Sequence, residues 1–262
     1  MSAIFKKEMS SYFRSSIGWI AIAIATGFSG FVFYDMVRVG SVNMAWEISF
    51  LQAVVLFVIP LITMRLFSEE KKNGTDILMY TNPVSLLNII IGKFLAAMTL
   101  LLIMVFSTFI HAIATAVMGG LVDATFVGSL ITFFFVSAVF IALGVFVSTA
   151  TENQIVAAII GFVVSFIMSG MTGLYVAVAE SIEGVTVTVL SYFTGFGLSV
   201  YAITDIGQKI YDGILWLDPI SRMDSINAGI LEASPLVYCA SLVAFFLFLS
   251  YRILEKRRWT QG

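Results

Sequence analysis

Six apolar runs, each long enough to cross a bilayer, constrain this chain more than any other feature. They cover residues 17–33, 48–66, 87–117, 126–149, 155–178 and 236–254. A spanning helix needs about 20 mainly apolar residues. In hydrocarbon, where no water meets an orphan N–H or C=O, only helices and closed barrels are viable. Runs this long and this continuous are too long for barrel strands, so the fold class is all-α and polytopic, with six transmembrane helices. The whole chain, 1–262, reads as one membrane domain. Composition agrees: 60% of residues are hydrophobic and mean hydropathy is +1.01, against about 45–50% apolar in soluble domains. Pro60 is expected to kink the second run, because it lacks the N–H that an interior helical position needs. The run at 87–117 is long enough to tilt or to begin outside the bilayer.

Charge gives the orientation. An even number of spans puts both termini on one side. Of 14 cations, all but Arg38, Lys209 and Arg222 fall at that side. They are Lys6, Lys7, Arg14, Arg65, Lys71, Lys72, Lys93, Arg252, Lys256, Arg257 and Arg258. The positive-inside rule makes that side cytoplasmic. Stretch 185–203 is apolar enough for a seventh span, but crossing there would turn Lys256, Arg257 and Arg258 outward. Gly195 and Gly197 also interrupt it. Region 179–233 is therefore expected to be extracytoplasmic, made of short helices, some of them re-entrant.

Residues 1–14 have helical periodicity. Met1, Ile4, Phe5, Met9, Tyr12 and Phe13 share one half of the wheel; Lys6, Lys7, Ser10, Ser11 and Arg14 share the other. Glu8 intrudes on the apolar half. Such a helix lies in the membrane interface, its cations toward anionic headgroups. The first apolar run lacks a small-residue cleavage site and reads as a retained span.

The loop 65–85 concentrates charge in a chain that is only 11% charged. Asn73-Gly74 signals a turn. Thr75 is placed to cap a short helix over 76–80, and Asn82-Pro83 ends it, since the residue before proline leaves the α region. Ser85 is placed to cap the next long helix. A solvated loop with a few ion pairs is the plain reading; a short helix slung between spans also suits a lever pushed by a soluble partner.

A search for catalytic chemistry finds none. Gly92-Lys93 is followed by Phe94 and position 87 is Leu, so no Walker phosphate cradle is present and the chain does not hydrolyse ATP. Cys239 is the single cysteine, which excludes an intramolecular disulfide and multi-cysteine metal sites. His111 lies inside a span with no plausible charged partner in sequence, and reads as a buried hydrogen-bonding residue. Glu69-Glu70 is similar to the paired glutamates of prenyl-protein peptidases, but Gly74 stands where that motif needs Arg. The middle of each span lacks Asp, Glu, Lys and Arg, which disfavours an ion-driven carrier. Basic residues are too dispersed for nucleic acid.

In the fifth run Ala157, Gly161, Ser165, Ser169 and Gly173 recur every fourth residue. Small residues let helix backbones approach in lipid. The stripe suits packing within the chain, packing against a second membrane subunit, or lining of a path through the membrane.

The ordered set Glu69-Glu70, Lys72, Gly74-Thr75, Pro83-Val84-Ser85 and Gly92-Lys93-Phe94 resembles the permease subunits of ABC-2 type transporters. The likeness is strongest to the gliding-motility and nitrous-oxide-reductase-maturation branch. It continues through Thr151-Glu152-Asn153-Gln154 and the terminal Arg252 to Trp259, and covers nearly the whole chain; before the last span it aligns only from about Leu217. The resemblance implies an ATP-driven exporter permease whose N-terminal helix is the family's elbow. It implies coupling to an ATPase through Glu69, Glu70, Lys72, Gly74, Thr75, Asp76, Leu78 and Pro83. It also implies no cofactor in this chain, with ATP and magnesium held by a separate ATP-binding subunit. A second permease copy or paralogue, an accessory extracytoplasmic protein and membrane lipids are the other expected partners, in a prokaryotic inner membrane. The alternative is a non-transporting membrane scaffold that anchors a cytoplasmic machine.

Overall fold

A computed structural model describes residues 2–75, 85–169 and 218–261. Among these residues the chain is helical and without strands. The helices are α1 (Ser2–Arg14), α2 (Ser16–Val39), α3 (Met44–Thr63), α4 (Arg65–Lys72), α5 (Leu86–Met104) and α6 (Phe106–Val117). They continue with α7 (Ala124–Ala150), α8 (Gln154–Ser169), α9 (Asp224–Asn227) and α10 (Ala233–Gln261). Five stretches are long and apolar enough to cross a membrane: Ser16–Val39, Met44–Lys72, Leu86–Val117, Ala124–Ala150 and Ala233–Arg258. The fifth expected span starts as α8; beyond Ser169 it lies outside the described residues, as does most of the region expected to be extracytoplasmic.

Helix α7 is the axle of the bundle. It packs most extensively on α3 and α10, and also on α4, α5 and α9. Small residues make this possible, since hydrocarbon gives helices no hydrophobic reason to associate and close packing must do it. At Gly144 a Cβ would stand only 2.1 Å from Thr63 Oγ1, so α3 crosses α7 at a point where only hydrogen fits. Helix α2 packs on α3, and α1 lies against α5.

The outer surface is what a bilayer solvates. Phe31, Phe106, Ile110, Ile113 and Val117 are exposed. Trp19 sits at the loop end of α2 and Trp46 at the far end of α3, both exposed, where interfacial aromatics belong. Trp19 Nε1 donates to Phe13 O at 3.0 Å, which fixes the joint between α1 and α2. At the far end Asn43 caps α3, its Oδ1 accepting from Trp46 N at 3.0 Å.

Candidate functional site

Span two loses regular helical bonding before it reaches the loop. The helix is interrupted at Met64, four residues after Pro60, and resumes as α4. A break of this kind leaves carbonyls and amides without helical partners. A single side chain on α7 takes up three of them. Ser148 Oγ donates to Met64 O at 3.0 Å and accepts from Phe67 N at 3.0 Å and Ser68 N at 3.2 Å. Lys71 Nζ donates to Thr149 O, setting a cation against the C-terminal carbonyls of α7, where the helix dipole favours it. Helix α4 is thus seated on the end of α7 and joined to α3 through Met64, which keeps right-handed helical angles.

A charge cluster fastens α4 to two other helices. Lys93, in the second turn of α5, is 1% exposed. Its Nζ donates to Glu8 Oε1 on α1 at 2.7 Å and to Leu66 O on α4 at 2.5 Å. It also lies 2.9 Å from Glu70 Oε2, in an ion pair without hydrogen-bond geometry, and 4.9 Å over the Phe67 ring. Glu70 Oε1 takes a second cation, Lys7 Nζ at 2.6 Å. Two lysines and two glutamates therefore balance at one junction of α1, α4 and α5. Partial burial lowers the affinity of Lys7 for its proton, but hydrogen bonding and the charge of Glu70 outweigh it, so its pKa ends above the ordinary lysine value. Beside the cluster, Arg65 Nε meets Glu69 Oε2 at 3.0 Å. Its Nη1 and Nη2 donate to Ser15 Oγ at 2.9 Å and Ser11 Oγ at 3.0 Å. Tyr12 OH reaches Ile62 O at 3.3 Å; burial, first of all, pushes its phenol well above the usual value.

A family model described as ABC-2 family transporter protein matches residues 2–259. The chain belongs to the ABC-2 transporter family. No match is found among curated proteins. The chain is accordingly the membrane-spanning permease subunit of an ABC transporter, a multi-pass membrane protein in a family whose permeases are not themselves ATPases.

Of the residues expected to couple the permease to an ATPase, Glu70 and Glu69 sit in these ion pairs and Lys72 is exposed. Gly74 has φ +66° and closes α4 in a Schellman turn: Thr75 N bonds Glu70 O at 2.9 Å and Gly74 N bonds Lys71 O at 3.1 Å. Thr75 Oγ1 donates back to Glu70 O at 3.2 Å. The helix it was expected to cap, 76–80, lies outside the described residues with Asp76, Leu78 and Pro83. Ser85 does cap α5, accepting from Asn88 N at 3.3 Å. The two distal motifs meet: Arg257 Nη2 binds Glu152 Oε1 at 2.5 Å.

The permease's small-residue stripe faces inward as far as it is described. Ala157 and Ser165 are buried, and a Cβ on Gly161 would touch Pro60 Cβ at 3.5 Å. Ser169 lines a recess between α3, α7 and α8; Gly173 lies outside the described residues.

One expectation is corrected. His111 has an ionisable partner: its Nδ1 is 2.7 Å from Glu47 Oε1, a side chain that is 0% exposed in the first turn of α3. The partner is on another helix, so no spacing in sequence could reveal it. Ser29 Oγ also donates to Glu47 Oε1, at 2.6 Å, and lies 3.5 Å from the same His111 Nδ1. A hydrolase relay needs serine and acid on opposite ring nitrogens; here both crowd one nitrogen, and the group is a structural pin joining α2, α3 and α6.

Proposed function

We propose that this permease exports its substrate with energy from a separate ATP-binding subunit that docks on loop 65–85. The observation that carries the reading is the buried Lys93 junction. A push on the loop reaches α4, and α4 is tied by charge to α1 and α5 and by Ser148 to α7, so a local displacement would move four elements together. A hinge at Met64 gives that displacement an axis. Cations gathered at the loop end support a cytoplasmic location for both termini. ATP and magnesium would sit in the partner, and a second permease copy or paralogue would complete the pair. The likeness to the gliding-motility and nitrous-oxide-reductase-maturation branch rests on the loop motifs and does not identify cargo.

A scaffold that only anchors a machine needs the docking surface but not a load path into the spans. The test is to capture the tagged permease from its native membrane and assay the complex. A co-purifying ATP-binding protein whose hydrolysis rises when the permease is present supports the proposal. Hydrolysis indifferent to the permease favours the scaffold.

A further inference from the structure

The recess between α3, α7 and α8 lies in the half of the bundle remote from the Lys93 junction. It holds about 390 Å³, within the size range of ligand sites. Its walls are largely apolar, and among the described residues no charged side chain lines it. At its surface Phe57 and Phe166 are exposed, on a face of the chain that otherwise carries lipid-compatible side chains. Ile220, beside the 3-10 turn Ser221–Met223, lines its far end.

Two polar atoms in this wall are unexplained by the fold. Gln52 is 7% exposed and Thr132 is 5% exposed. Gln52 Nε2 donates to Ser137 Oγ at 3.3 Å, and its Oε1 has no partner; Thr132 Oγ1 has none either. A buried polar group left unpaired costs about 1–3 kcal/mol, so native structures pair nearly all of them, with protein, ordered water or a bound molecule. Ser129 and Ser165, also in the wall, add small hydroxyls and no charge.

We infer that this recess binds an uncharged amphiphile from the surrounding leaflet, an apolar chain ending in a neutral hydrogen-bond donor that meets Gln52 Oε1 and Thr132 Oγ1. An anionic head is disfavoured because, among the described residues, no cation lines the wall to offset its desolvation. A pure hydrocarbon would leave both oxygens unpaired. The inference names a substrate class for the transport reading, but binding itself does not depend on that reading.

The test uses the purified permease in zwitterionic phospholipid nanodiscs without ATP. The probe is dodecanamide carrying a diazirine, compared with the matching dodecanoate and dodecane. The amide is expected to label peptides of α3, α7 and α8, and to outcompete both analogues. Thr132→Val is the cleanest variant, since Thr132 Oγ1 makes no bond to lose; it should keep thermal stability and weaken amide labelling about threefold to tenfold. Gln52→Leu should weaken it further, and Ser129→Phe should block the recess. Equal labelling by amide and alkane, or amide labelling unchanged in Thr132→Val and Ser129→Phe, overturns the site. If the site binds but ATP never moves the permease, the transport reading fails and the site stands.

Discussion

Glu70 Oε2 of the loop helix stands 2.9 Å from Lys93 Nζ, a cation with 1% of its side chain exposed on the next span. A lysine at that depth is stable only while its acids remain. Removing one partner of a buried ion pair costs about 3–5 kcal/mol, because the other is stranded. Lys93→Met should therefore lower the thermal unfolding temperature of the purified permease clearly. The double variant Lys93→Met, Glu8→Gln should regain part of the loss, since it also removes the stranded acid.

The Lys7–Glu70 pair has a defined pH window. Lys7 binds its proton more tightly in the fold than at its ordinary pKa of 10.5. A group with a raised folded pKa stabilises fully below its unfolded pKa and loses that contribution as pH rises through the folded one. The stability difference between wild type and Lys7→Gln should be constant from neutral pH to about 10 and shrink above it. Lys7 is 65% exposed, so the difference itself should be small. Unfolding midpoints across that range give the answer; a difference that collapses between pH 6 and 8 would implicate another group.

Much of this was legible in sequence, and the exceptions share a cause. The spans follow from uncharged apolar runs, because the bilayer admits little else. The Gly74 turn was legible because a local backbone conformation demands glycine. Glu8 on the apolar half of α1 was visible as a misplaced charge, and Lys93 only as one of the cations on the loop side. That they answer one another was not visible, since the pairing joins helices far apart in the chain. His111 and Glu47 were missed for the same reason. Ser148 carries no signal of its own: a serine in a span usually bonds its own helix, and only the break at Met64 gives it three other partners. Pro60 hinted at that break but did not locate it.

The hinge makes a separable prediction. Ser148→Ala keeps the shape of α7 but strips Phe67 N and Ser68 N of their partner and leaves Met64 O with Ser68 Oγ as its donor. The expected cost is about 1–3 kcal/mol, with α4 exchanging its amide hydrogens faster while α3 stays protected. Gly144→Val should be worse, because its first added carbon already collides with Thr63. Hydrogen exchange in detergent, read by mass spectrometry, separates these outcomes. Uniform exchange across α3 and α4 in Ser148→Ala would mean that no hinge exists.

Orientation can be read with two engineered cysteines. The native Cys239 is buried and should stay silent. Ser41 and Asn73 are both exposed, at opposite ends of span two. In intact cells an impermeant maleimide should label Ser41→Cys and leave Asn73→Cys untouched until the membrane is opened. The reverse pattern would invert the topology and remove the proposed ATPase docking face from the cytoplasm.

The load path from loop to spans is tested most directly in the reconstituted complex of permease and ATP-binding subunit. Spin labels at Ser41→Cys report the separation of the far ends of the two permeases before and after ATP. In wild type, ATP should shift that distance. In Lys93→Met the ATP-binding subunit should remain bound and hydrolyse ATP while the shift is lost. An unchanged ATP-driven shift in Lys93→Met, with the complex intact, would contradict the account.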